Sequence, residues 1–562
     1  MSENGQNNTL FACIAAAGVF FLSSCHHEPS PVDEGPWGLR NSCGSDTDCP
    51  DTEFCNGRLN HCAASEPAVK DLIIKISVDD EPLPTVIRER IDSEGDFISI
   101  IERSIPLKGR VWTSYPRITP VQADVKFIPG YEWFVEPNPP VVVAQSSENL
   151  NMEGDNLSVR LPPGVYDIEV WPYKTENGVL PPVYRKNVII SDNSRRLDIE
   201  IPQPAVVRGV VLVGRQPLEK LVVWAESEDG SRISTVASGS TCWGVYPSVS
   251  CGFEIDVATI TDRFYVHSEL PDVPYFPVYS TGPYETPSGG TITDIGEVQL
   301  PRTGVPSIYS AQIQGLDAYR RIIPVEDVAV HFSGDAIFGG SVQRRLNTDA
   351  RGSFIEEVHG WTDAGAGAYL YDGEYDVTLV PSKKSQFAAF RPESPVVVNG
   401  EGSIQQGQVF ILPRKLRLVG RVTGGPMNDG FSRIAVTAIP SRSRSSIQRS
   451  DTVITDEAGE FDLTLDPGSY VLMALVPESN GYPWTWTDVE LAPESDLIRI
   501  EIGYPYIWEG KIIYTDGNPV RNAQVEIFLP PSQDRSAINI ALTATGEDGS
   551  FSVLLPGRPR VD

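Results

Sequence analysis

The sequence predicts an all-β chain of tandem sandwich domains that follow a small cysteine-rich motif. Three observations predict it. Short Val, Ile, Leu and Tyr runs are spread along the chain between turn residues, 48 Gly and 47 Pro among 562 residues, which is the pattern of many strands joined by turns. Within those runs apolar and polar residues alternate, as a strand buried on one face requires. The runs also recur as a set at intervals of roughly 100 residues, and a chain this long exceeds what a single core can serve.

The first 25 residues read as a processing signal. Leu10 to Leu22 (LFACIAAAGVFFL) is too short an apolar run to span a bilayer and suits a secretory h-region. It ends in Leu22, Ser23, Ser24 and Cys25, which resembles a bacterial lipobox. That resemblance implies cleavage before Cys25, diacylation of its thiol and a membrane-lipid partner; two acyl chains anchor stably where one would not. Met1 to Thr9 departs from the pattern, with no Lys or Arg and with Glu3. His26 stands where Asp would retain an enteric lipoprotein in the inner membrane, so the expected location is the outer membrane, on its periplasmic or cell-surface face.

A tether over 26–42 leads into Cys43, Cys49, Cys55 and Cys62. Zinc sites made of four cysteines usually pair ligands about two to four residues apart, and these spacings are longer. In an oxidising compartment the favoured reading is a two-disulfide micro-domain over 43–62, with three connectivities open. Cys242 and Cys251 are expected to close a hairpin within a later domain.

From residue 105 onward three signatures recur in order. The opening one is a short apolar strand carrying a glycine: Gly109, Gly209, Gly420 and Gly510, with a looser copy at Ile308 to Ile313. The middle one is Thr-Asp-x-x-Gly-x-Phe, at Thr455 to Phe461 and Thr348 to Phe354; Thr545 to Phe551 lacks the Asp. Asp is expected to cap the hairpin, Gly to take the positive φ, and Phe to enter the core. The closing one is Gly-x-Tyr leading into a strand that ends in Pro, at Tyr166, Tyr375 and Tyr470, with the ring inward and the hydroxyl near turn backbone.

Together the signatures resemble the carboxypeptidase regulatory-like domain family. The resemblance implies Greek-key sandwiches of the transthyretin-like kind over 105–202, 203–302, 303–413, 414–503 and 504–562. In the last copy the closing strand is expected to be missing or very short, and 66–104 reads as a separate lead-in β unit. The structurally akin Cna-B-like adhesin sandwiches carry Lys–Asn crosslinks; here Lys108, Arg208, Arg421 and Lys511 flank the opening glycines, which argues against a general crosslink.

Chemistry-bearing patterns are sparse. A formal charge of −30 excludes nucleic acid as a partner, because phosphate neutralisation needs basic patches. The six histidines form no zinc-binding pair, and neither a Gly-x-Ser-x-Gly elbow nor a P-loop occurs. No catalytic residue, cofactor or metal is assigned. Trp484 and Trp486, with Trp243 and Tyr246, are candidates for stacking on sugar rings; the plain alternative is that the first two fill one face of a strand. The run from Arg442 to Arg449 reads as an exposed loop. The expected function is therefore a non-enzymatic, membrane-anchored stalk or spacer that meets surface polysaccharide or other envelope proteins. The rivals are a carbohydrate-binding array and the N-terminal part of a larger exported enzyme that continues beyond Asp562.

Overall fold

In the computed structural model the described residues fall between 53 and 557, apart from short internal stretches. They are strands and turns throughout, gathered around five main hydrophobic cores. The alternation read from the sequence is what builds them. Along Ala123–Pro129 every second residue is buried, as it is along Ser341–Thr348. Period-two burial is the signature of a strand with one face on a core.

One sandwich shows the plan. Its larger sheet runs Val142–Ser146, Ala123–Pro129, Gly164–Pro172, Val183–Ile190. Against it, Ile105–Gly109 pairs with Leu157–Leu161, and Ile199–Ile201 returns parallel to Val111–Thr113. Phe127, Leu161, Tyr166 and Ile168 fill the space between the layers. The same parallel return recurs three times: Ile292–Leu300 on Ala205–Val213, Ile404–Leu412 on Ser307–Leu316, and Ile498–Ile502 on Leu416–Gly424. All-β sandwiches packed face to face are thus repeated along the chain.

The two ends of the described chain depart from the sequence reading, which keeps 66–104 and 504–562 apart. In the structure they share one sandwich. Asp71–Ser77 pairs antiparallel with Gln524–Leu529, taking the place that Gly468–Leu475 takes beside Ala435–Pro440. Thr85–Arg90 flanks it, and Phe97–Ile101 returns parallel to Pro505–Tyr514. The strands missing from the last copy are therefore supplied by residues 71–101. Alternation in a sequence reports that a face is buried, not which strand buries it, so this pairing left no mark in the pattern.

The turn signatures do what their residues dictate. Asp456 Oδ1 accepts from the backbone N–H groups of Ala458 and Glu460 at 2.9 and 2.8 Å, and Gly459 has φ +80°. Asp349 does the same for Arg351 and Ser353, with Gly352 at φ +72°. Where Gly546 replaces the aspartate, Asp548 accepts from Ser550 N–H instead. Each closing tyrosine donates its hydroxyl to the carbonyl four residues earlier: Tyr166 to Pro162, Tyr375 to Tyr371 and Tyr470 to Asp466, at 2.7, 2.8 and 3.0 Å.

The threonine of the middle signature has a role the sequence did not disclose. Thr455 Oγ1 donates to Phe431 O at 2.7 Å and accepts from Ile434 N–H at 2.9 Å. Thr348 bridges Val325 O and Val328 N–H, and Thr545 bridges Val520 O and Ala523 N–H. Ser146 makes the corresponding bridge between Val121 and Ala123. Each buried hydroxyl satisfies a carbonyl and an amide where the chain enters a core strand, and such groups are costly when left unpaired.

Candidate functional site

The residues singled out from the sequence do not converge on one place. Cys25, Cys43, Cys49 and Tyr246 lie outside the described residues. Cys55 is the register partner of Cys62 in the hairpin of Glu53–Asn56 with His61–Ala64, which lies against Pro505–Tyr514 of the split sandwich. Cys242 is the register partner of Cys251, and Trp243 that of Ser250.

Trp484 and Trp486 are both half-buried in packing, and against different cores. Trp484 joins the core of its own sandwich and donates Nε1–H to Val476 O at 3.0 Å. Trp486 sits opposite Met473 and packs with it on the core of the split sandwich. The expectation that they fill one face of a strand does not hold, because Trp484 precedes the strand Thr485–Leu491. Neither indole stands out as a flat exposed platform.

Met473 belongs to a strand buried on both faces. Along Gly468–Leu475, Tyr470, Leu472 and Ala474 enter the strand's own core, while Val471, Met473 and Leu475 join the core of the split sandwich. Ile439 on the neighbouring strand joins the same core. A sheet of an antiparallel sandwich normally shows water one face; here that face is apolar because a second sandwich covers it.

A polar joint holds the third and fourth sandwiches. The Asp466 side chain is 2% exposed and accepts from Arg449 Nε–H at 2.9 Å and Nη2–H at 2.7 Å. It also accepts from Ala389 N–H at 3.0 Å, across the joint. Arg449 Nη1–H in turn donates to Pro381 O at 2.6 Å. A bidentate Arg–carboxylate pair with its remaining donors and acceptors satisfied is the arrangement a buried charge needs. Arg449 therefore does not belong to an exposed loop. A cleft of about 1160 Å3 opens beside this joint, lined by residues of three sandwiches, among them Arg391, Glu393, Tyr470, Asp488, Glu490 and Arg535. Its rim mixes both signs of charge.

The second sandwich holds the one perturbed imidazole with an aromatic neighbour among the described residues. His267 stacks on Trp224 with ring centroids 5.5 Å apart, and its Nδ1 lies 2.7 Å from Ser280 Oγ. Glu226 accepts from Trp224 Nε1–H at 2.8 Å and lies 3.4 Å from His267 Nε2. Burial pushes the imidazole below its usual range, while the Glu226 carboxylate pulls it back up. Among the described residues no three His, Cys, Asp or Glu side chains gather as a metal site.

No protein-family model matches the chain, and no curated protein matches it in sequence. Among solved structures it is similar to a streptococcal ancillary pilin, at 13% identity over 54% of this chain and 98% of that one, with a TM-score of 0.24. It is also similar to the Bacillus anthracis TIE protein, at 12% identity over 71% and 74%, with a TM-score of 0.17. A third likeness is to the minor pilin of Streptococcus agalactiae, at 13% over 35% and 95%, with a TM-score of 0.22. The fold assigned above rests on the chain's own strand register.

Proposed function

We propose that this chain is a non-enzymatic, lipid-anchored surface protein whose tandem sandwiches form a spacer or interaction stalk. The observation that carries the reading is repetition. Sandwiches with separate cores follow one another through connections as short as Pro202–Pro204 and Pro413–Lys415. The joint between the fourth and split sandwiches is closed by buried packing, and that between the third and fourth by a desolvated ion pair. Short connections and packed joints limit bending, which suits a part whose task is reach. The repeated domains are read as carboxypeptidase regulatory-like sandwiches, on the recurrence of the opening glycine, the capped hairpin and the closing tyrosine.

Two disulfide elements are part of the proposal. Cys242 and Cys251 are register partners across an antiparallel pair, and so are Cys55 and Cys62; the α-carbon separation of such a pair suits a bridge, which supports the reading. Such bridges fit an exported protein.

The anchor is tested by metabolic labelling with a palmitate analogue in cells that express the full chain. Label should attach to the wild-type protein and be lost in Cys25→Ser, with the variant released from the membrane fraction. Mature protein with an unmodified Cys25 would remove the anchor.

A further inference from the structure

We propose that the split sandwich is a joint between copies: strands 71–101 of one chain complete the sandwich whose other half, residues 505–557, belongs to a second copy. This goes beyond the stalk reading and does not depend on the lipid anchor.

Neither half can stand alone. Leu72, Ile74 and Ile76 on one side and Val525, Ile527 and Leu529 on the other are at most 3% exposed in the joined sandwich. Residues 71–101 fall below the about 40 residues that a core usually needs, and residues 505–557 lack the strands beside Gln524–Leu529 and Pro505–Tyr514 that 71–101 supply. Their recognition is specific as well as apolar. Lys75 pairs with Glu526 at 3.1 Å in a nearly buried contact, and Phe97 meets Trp508 and Phe551 with centroids 4.9 and 6.0 Å away. Arg103 lies over the Tyr514 ring at 4.0 Å.

The connections point to the second copy. Glu102–Ser104 joins the split sandwich to the first complete one, and Gly503–Tyr504 joins the fourth to the split one. Both are as short as the connections between complete sandwiches. Because Phe97–Ile101 runs parallel to Gly510–Tyr514, the chain enters the split sandwich at one end of a strand and leaves near the other. That is also how it passes through each complete sandwich. The order of sandwiches is thus cyclic, with the split one standing as an ordinary member.

The structure closes this cycle inside one copy, bringing four sandwiches back to the chain's own start through short connections. Joining successive copies uses only junctions of the kind already present. Exchange of identical elements keeps every contact of the interface, so the balance is set by effective concentration against protein concentration.

The test uses the full chain with Lys75→Cys and Glu526→Cys, residues that are register partners. The protein is refolded from urea with native disulfides intact, then oxidised over a range of concentrations and run on a non-reducing gel. A ladder of two and more copies, growing with concentration, is expected, along with a light-scattering mass of unmodified protein that rises about twofold or more. A single-copy band with an internal link at every concentration, or an unmodified protein that keeps single-copy mass throughout, overturns the proposal. Should the cysteine pair disturb folding, separately tagged Lys75→Glu and Glu526→Lys chains replace it. Mixed, they regain opposite charges only across copies, so each tag should pull down the other; failure to do so contradicts the proposal.

Discussion

Phe461 occupies the space that a side chain at Gly420 would need. The two residues are register partners, and a β-carbon at 420 would come within 2.2 Å of the Phe461 ring. Gly510 stands in the same relation to Phe551, at 2.6 Å, and Gly209 to Phe253, at 2.8 Å. At Gly420 and Gly510 the opening glycine and the phenylalanine of the middle signature are therefore two halves of one contact. Gly420→Ala should force Phe461 from its rotamer and cost about 1–3 kcal/mol, as overpacking of a filled core does. Urea unfolding of the full chain, followed by hydrogen exchange along Glu460–Leu465, measures it, and Gly420→Ala combined with Phe461→Leu should recover part of the loss. An unchanged midpoint for the single variant would mean that the contact is looser than described.

Thr455→Val keeps shape and removes the hydroxyl that joins Phe431 O to Ile434 N–H. Two buried backbone groups lose their partner, an expected cost of about 1–3 kcal/mol. Thr455→Ser should retain most of the stability. Equal midpoints for the Val and Ser variants would show that the hydroxyl contributes nothing.

Asp466→Ala strands the Arg449 guanidinium in the joint between the third and fourth sandwiches. Removing one partner of a buried pair costs about 3–5 kcal/mol, here expressed as loosening of the joint. Limited proteolysis should cut between residues 381 and 416 in the variant and spare the wild type. Indistinguishable digestion patterns would contradict a joint held by this pair.

Alkaline pH should weaken the fold through its closing tyrosines. Burial holds the phenols of Tyr375 and Tyr470 above their usual range. In the unfolded chain a tyrosine ionises near pH 10, whereas the native phenol keeps its proton. The stabilisation is thus complete below about pH 10 and declines as pH rises past it, because the unfolded state then binds fewer protons. Tyr470→Phe should lower stability by about 1 kcal/mol at neutral pH, through its lost hydrogen bond, and should flatten the decline above about pH 10. A wild-type midpoint that does not move with alkaline pH would count against buried, proton-holding phenols.

Local chemistry was the legible part of this chain. The Asp-x-x-Gly hairpins, the inward closing tyrosines and the alternating strands all follow from neighbours in sequence. Their positions were readable from spacing alone. What depends on distant partners was not readable. Nothing in LIIKIS distinguishes a strand of its own unit from one that completes a sandwich at the opposite end of the chain. The reading of Trp484 and Trp486 failed for a related reason: alternation assigns faces within a strand, and Trp484 turns into its core before the strand begins. Arg449 read as solvated because a charge in a polar run usually is, and only the fold brings Asp466 and the third sandwich around it.

The pairing of residues 71–101 with 505–557 is tested most directly by hydrogen exchange of the intact protein. Amides of Ile73–Ser77 and Gln524–Phe528 hydrogen-bond across one ladder, whether one copy or two supply it. They should be equally protected and should open together as denaturant is added. Rapid exchange along Ile73–Ser77 while Gln524–Phe528 stays protected would contradict the shared sandwich.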